Sequence, residues 1–95
     1  MTVYVDNAIH PLRDVLMCHM FSPDLEELHT MANLIGIKRR WFQDPLTMRV
    51  SWPHYDIDEI RRSLAVSFGA IECDKYQTVA VAAIMQGKPE KLSRN

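Results

Sequence analysis

Seven residues, Val15-Leu16-Met17-Cys18-His19-Met20-Phe21, are apolar except for His19, and Ser22-Pro23 follows them at once. A run of that composition reads as a largely buried strand. The Ser-Pro step then starts a helix, with Ser22 as N-cap, Pro23 in the first turn, and Asp24, Glu26 and Glu27 facing the positive end of the helix dipole. Leu25, Leu28, Ala32 and Ile35 form the core stripe of that helix, His29 sits at its margin, and Gly36 ends it.

The flanking segments continue the alternation. Val3-Tyr4-Val5 is a first strand that stops at Asp6-Asn7. Arg40–Gln43 reads as a short strand and Asp44–Pro53 as a loop punctuated by Asp44-Pro45 and Trp52-Pro53. A second helix begins at about Asp56, with Ile57, Ile60, Leu64 and Phe68 on its buried face and Gly69 at its end. On that helix Arg61 is the cation placed to reach inward, while Arg62 points further round. Ala70–Cys73 is a further strand, and Asp74 caps a third helix over Tyr76–Gln86. The stretch Val79–Met85 is apolar all round, so this helix is either wholly packed or covers a neighbouring molecule, which makes it the candidate surface for homo-oligomerisation.

The order β-β-α-β-α-β-α gives a small α/β domain over residues 1–87, a sheet of three or four strands with about three packed helices. Residues 88–95 form a polar tail. A chain of 95 residues accommodates one hydrophobic core.

Charge excludes some functions. Eleven basic and twelve acidic residues leave a net charge of −1, so no global field draws the molecule to nucleic acid or an anionic membrane. Locally, residues 38–62 carry six basic and four acidic groups, so an anion-binding surface belongs to the middle of the chain. No apolar stretch approaches the roughly 18 residues that span a bilayer, and the start lacks an export signal. Cys18 and Cys73 are far apart, with no C-x-x-C, and read as buried thiols of a cytoplasmic protein.

The polar residues expected to carry chemistry are Asp6, at the end of the first strand, His19, and His54-Tyr55-Asp56, leading into the second helix. Asp74 occupies a similar position before the third helix. These are oxygen and imidazole donors, but no H-x-x-x-H, H-E-x-x-H or paired C-x-x-C is present. Their spacing therefore assigns no metal ligands and no cofactor. Lys38, Arg39, Arg40, Arg61 and Arg62 supply positive charge, His29 can donate or exchange a proton, and Trp41, Phe42 and Tyr55 supply stacking surfaces. That mixture suits a nucleotide or a nucleic-acid end. Adjacent Cys18 and His19 point to opposite faces of a strand, so they are not a catalytic dyad.

Val3-Tyr4-Val5-Asp6, His19-Met20, Leu25–Ala32 with Ile35-Gly36, Arg40-Trp41-Phe42-Gln43, Pro53-His54-Tyr55-Asp56, and Arg62 with Ala65 and Gly69-Ala70 together make the chain resemble domain-of-unknown-function family 4031. Asn7 stands where the resemblance leads one to expect a second acidic residue, and Cys18 where it leads one to expect Ser. The resemblance implies a bacterial or phage setting and brings no reaction with it.

Three functional expectations follow. The first is a pocket for a phosphate-bearing ligand, formed by Arg40, His19, His54, Tyr55, Asp56 and Arg61 at a helix N-terminus, with Trp41 and His29 as further contacts. The second is a metal-assisted phosphodiester hydrolase using Asp6, His54 and Asp56, with His19 as acid or base. The third is a non-catalytic module that oligomerises or docks a partner through the helix at 76–86.

Overall fold

The strand Val15–Phe21 (β3) is paired along both edges. Met20 pairs with Val5 and with Tyr55, and Met17 pairs with His10 and with Asp58. Tyr55–Asp58 (β4) therefore takes one edge, and Tyr4–Asp6 (β1) and His10–Leu12 (β2) share the other, all antiparallel to β3. Ile71–Cys73 (β5) adds to β1 in parallel, completing a five-stranded sheet. This computed structural model describes residues 2–7, 10–12 and 14–85.

β1 and β2 are two stretches of one hairpin arm. Residues 6–9 separate Val5 from His10, whereas only Cys18 and His19 separate their partners Met20 and Met17. The first arm thus carries two residues more than the second.

Alternation along the strands sorts the side chains. Val5, Cys18, Met20, Tyr55 and Ile57 face the helices and form the core with Leu28, Met31, Ala32, Ile35 and Ala65. These last come from Leu25–Leu34 (α1) with its C-cap, and from Glu59–Ser67 (α2). The opposite face carries Tyr4 and Phe21, whose rings stack at 5.7 Å, together with His10, Met17, His19, Asp56 and Asp58. Lys75–Met85 (α3) packs against β5, where the Thr78 hydroxyl meets Cys73 Sγ at 3.3 Å. Both cysteines are buried and free, as expected.

Several expectations are corrected. The sheet has five strands instead of three or four: the expected strand at Arg40–Gln43 is not among them, and β2 and β4, which the pattern does not mark, are. Asp56 lies inside β4, and α2 starts at Glu59, capped by Asp58, whose side chain accepts from Arg61 N. Only Ile57 of the four apolar residues assigned to the buried face is buried, and it is on the strand. Ile60 is 73% exposed and Leu64 and Phe68 are also exposed, since Ala65 makes the close contact with the core. Arg40 lies in a 3-10 turn over Arg39–Trp41, and Gln43 makes an isolated bridge to His54. The side-chain cap of α1 is Asp24, while Ser22 accepts from Asp24 N and donates to the Thr2 carbonyl. Gly36 and Gly69, at φ 80° and 105°, follow the ends of α1 and α2 in the left-handed region that a Cβ disfavours. Asp74 does cap α3, accepting from Gln77 N at 2.9 Å. α3 is not packed all round, because Tyr76, Val79 and Ile84 are exposed. The polar tail at 88–95 lies outside the described residues.

Candidate metal centre

The antiparallel register sets His19 directly opposite Asp56 on the face away from the helices. At this point the hairpin ladder is altered, because the His19 backbone N–H donates to the Asp6 carboxylate at 2.8 Å. The other oxygen of Asp6 accepts from His19 Nδ1 at 2.7 Å. Asp6 is fully buried, so its carboxylate fixes both the strand and the ring. With Nδ1 committed, His19 presents Nε2 to Asp56 Oδ1, 3.9 Å away.

Two more imidazoles converge on the same oxygen. His10 Nε2 lies 3.4 Å from it and His54 Nε2 3.7 Å. The His10 ring stacks on His19 at 4.8 Å, and the His54 ring meets His19 edge-on at 5.1 Å. His54 is oriented like His19, since its Nδ1 donates to the Trp52 carbonyl at 2.9 Å, leaving Nε2 to face inward. Trp52 stacks on His54 and roofs the cluster, its ring 5.3 Å from that of His19. Gln43 Nε2 donates to the second oxygen of Asp56. Asp56 Oδ1 is buried, and among the described residues no hydrogen bond reaches it.

Burial and charge act differently on the two oriented rings. Burial alone lowers the His19 pKa, but the hydrogen bond to Asp6 and the charges of Asp6 and Asp56 overcome it, and the net shift is upward. Burial dominates at His54 and holds its pKa down, with the neighbouring imidazoles adding to the effect.

The donor atoms of His10, His19 and Asp56 all lie within 4.8 Å of one another. Metal–ligand bonds of about 2.0–2.1 Å in tetrahedral geometry place ligands about 3.3 Å apart, close to the 3.4–3.9 Å seen around Asp56 Oδ1. The outward bonds from His19 to a carboxylate and from His54 to a carbonyl are those that orient metal-ligating histidines. The residues present therefore fit a divalent transition ion.

Four of the residues expected to carry chemistry, Asp6, His19, His54 and Asp56, meet in this cluster. It lies on a sheet face, not at a helix N-terminus. Tyr55 and His29 belong to the helix side, hydrogen-bonded to each other at 2.8 Å beside Phe42. Arg61 does not reach inward; it pairs with Asp58 on its own helix cap at 2.9 Å. Arg62 is the cation that does, donating to the Asp6 carbonyl and to Glu72, each at 2.9 Å. Arg40 and Trp41 stand together on the 3-10 turn, the guanidinium 5.6 Å from the indole centroid. His10, Gln43 and Trp52 were not singled out by sequence, and no spacing links His10 to Asp56.

Among the described residues no helix is long and apolar enough to cross a membrane. Neither a curated protein nor a solved structure gives a significant match. The model of a family described as "protein of unknown function (DUF4031)" matches residues 3–85, nearly the whole chain. The chain that builds this histidine–aspartate cluster belongs to the DUF4031 family.

Proposed function

We propose that this chain is a metal-dependent hydrolase of phosphate esters, in which His10, His19 and Asp56 bind one divalent transition ion and His54 is the adjacent base. The observation that supports this reading is the convergence of three imidazole Nε2 atoms on a buried Asp56 oxygen that no hydrogen bond among the described residues satisfies. In a cluster built only for stability that oxygen would be paired, because an unsatisfied buried acceptor costs about 1–3 kcal/mol. Two imidazoles and one carboxylate favour zinc, manganese or iron over magnesium. A bound ion supplies Lewis-acid polarisation and an acidified water at neutral pH.

The chain's own groups do the rest. Asp6 holds His19 in the ligating tautomer, and Gln43 fixes the Asp56 carboxylate. His54 Nε2 takes a proton from the attacking water as the water oxygen bonds to phosphorus; the ester P–O bond breaks, and the protonated His54 returns that proton to the departing alkoxide, which leaves as the alcohol.

Metal analysis by mass spectrometry after loading with Zn²⁺, Mn²⁺ or Fe²⁺, with turnover of bis(p-nitrophenyl) phosphate, tests the reading. One ion per chain is expected, lost in Asp56→Ala. His54→Gln should keep the ion and lose about 10²–10⁴-fold in turnover. Absence of metal binding, or equal hydrolysis by wild type and Asp56→Ala, would overturn it.

Self-association is a second reading, supported by the outward Tyr76, Val79 and Ile84 of α3. Light scattering that gives a monomer at all concentrations rejects it.

A further inference from the structure

A groove opens beside Asp56 on the same sheet face. Its inner part, about 240 Å³, is lined by Leu12, Met17, Ile37, Trp41, Gln43 and Asp56. An adjoining part of about 450 Å³ shares Leu12, Met17 and Trp41 and continues past Val15 to Asp58. Its walls are largely apolar, and Trp41 is 60% exposed, a large hydrophobic surface left in water.

The chain entering the groove wall is Lys38-Arg39-Arg40, three consecutive exposed cations on the turn that ends in Trp41. Among the described residues no carboxylate pairs with any of them, whereas Arg61 and Arg62 are both paired. An apolar slot with an exposed indole, cations on the turn between two of its lining residues, Ile37 and Trp41, and Asp56 of the proposed metal site in its lining suits a flat ring attached to anionic groups.

We infer that the groove binds a nucleotide unit, with its base on Trp41, its own phosphate toward Asp56 and a neighbouring phosphate on Lys38 and Arg40, Arg39 being the cation whose charge acts on His29 on the helix side. This rests on the metal-centre reading for the direction of the phosphate, but the base and backbone contacts need no ion. The shared chemistry has two sources, a free nucleotide or the end of a single strand.

Calorimetric titration of the whole chain with thymidine 5′-diphosphate and with a thymidine tetranucleotide, first in EDTA and then loaded with Zn²⁺, separates these. Binding of the tetranucleotide is expected, at least about tenfold weaker in Trp41→Ala. In Arg40→Gln the slope of log affinity against log salt should fall by about 0.7. Equal affinity for both ligands identifies a free nucleotide, and tetranucleotide preference identifies a strand end. No binding by wild type, or unchanged affinity in Trp41→Ala with an unaltered thermal melt, overturns the inference. Because EDTA removes the ion, a chain that binds nucleotide yet takes up no metal would defeat the hydrolase reading alone. A metal-loaded chain that ignores nucleotides would defeat only this one.

Discussion

The Asp6 carboxylate spans His19, accepting from its backbone N–H at 2.8 Å and from its ring Nδ1 at 2.7 Å. One buried side chain thereby sets both the course of β3 and the tautomer of a proposed ligand. Asp6→Asn keeps an oxygen for the backbone N–H but removes the charge behind the ring. Metal affinity should fall about 10–100-fold, read by competition with a chromophoric chelator, while the circular dichroism spectrum is retained.

Asp56→Asn separates metal binding from stability. An amide nitrogen at the Oδ1 position would face three imidazole Nε2 atoms, so the metal-free variant should melt no lower than wild type. Wild type should gain about 2.7 kcal/mol at an ion concentration a hundred times the dissociation constant. The variant should gain nothing, which differential scanning calorimetry with and without Zn²⁺ reads directly.

His29 supplies a pH dependence remote from the metal cluster. Its pKa lies below the ordinary value of 6.5, first because it is partly buried and then because of the Arg39 charge. The folded state therefore takes up this proton less readily than the unfolded chain. Its contribution to stability is complete above pH 6.5 and is lost as pH falls through the lowered folded value. In an NMR titration Arg39→Gln should raise the His29 midpoint without restoring it to 6.5, because burial remains. An unchanged midpoint would show that the charge of Arg39 does not reach the ring.

Leu28 and Ile60 give a packing contrast. Leu28 is fully buried between α1 and the sheet, so Leu28→Ala should cost about 2–5 kcal/mol in urea unfolding. Ile60 is exposed, and Ile60→Ala should stay within about 0.5 kcal/mol.

That contrast shows where sequence reading works and where it stops. α1 is legible because its acidic first turn, Gly36 and the buried Leu28, Ala32 and Ile35 all agree, although Leu25 of the expected stripe is exposed. β4 was hidden because it runs without a break into α2. Ile57 on the strand and Ile60, Leu64 and Phe68 beyond it mimic a single helical stripe, although Tyr55 and Ile57 alternate with Asp56 and Asp58 as a strand requires. The chemistry of the site was partly legible, since Asp6, His19, His54 and Asp56 stood out as donors. His10 did not, because a three-residue edge strand containing Pro11 leaves no periodic signal. What brings it to Asp56 is pairing across β3, a relation between distant segments that no local spacing encodes.

The hairpin's unequal arms govern what length changes the site can survive. Because side chains alternate, an even excess between Val5 and His10 returns His10 to the face that carries His19 and Asp56. Removing one residue from the segment between them would turn His10 toward the helices, whereas removing two would restore a regular hairpin with the imidazole still on its proper side. Natural or engineered length variation in this arm should therefore be tolerated only in pairs and only where Asp6 is spared, a parity rule imposed by the sheet on a stretch that gives the site one positioning carboxylate and none of its proposed metal ligands.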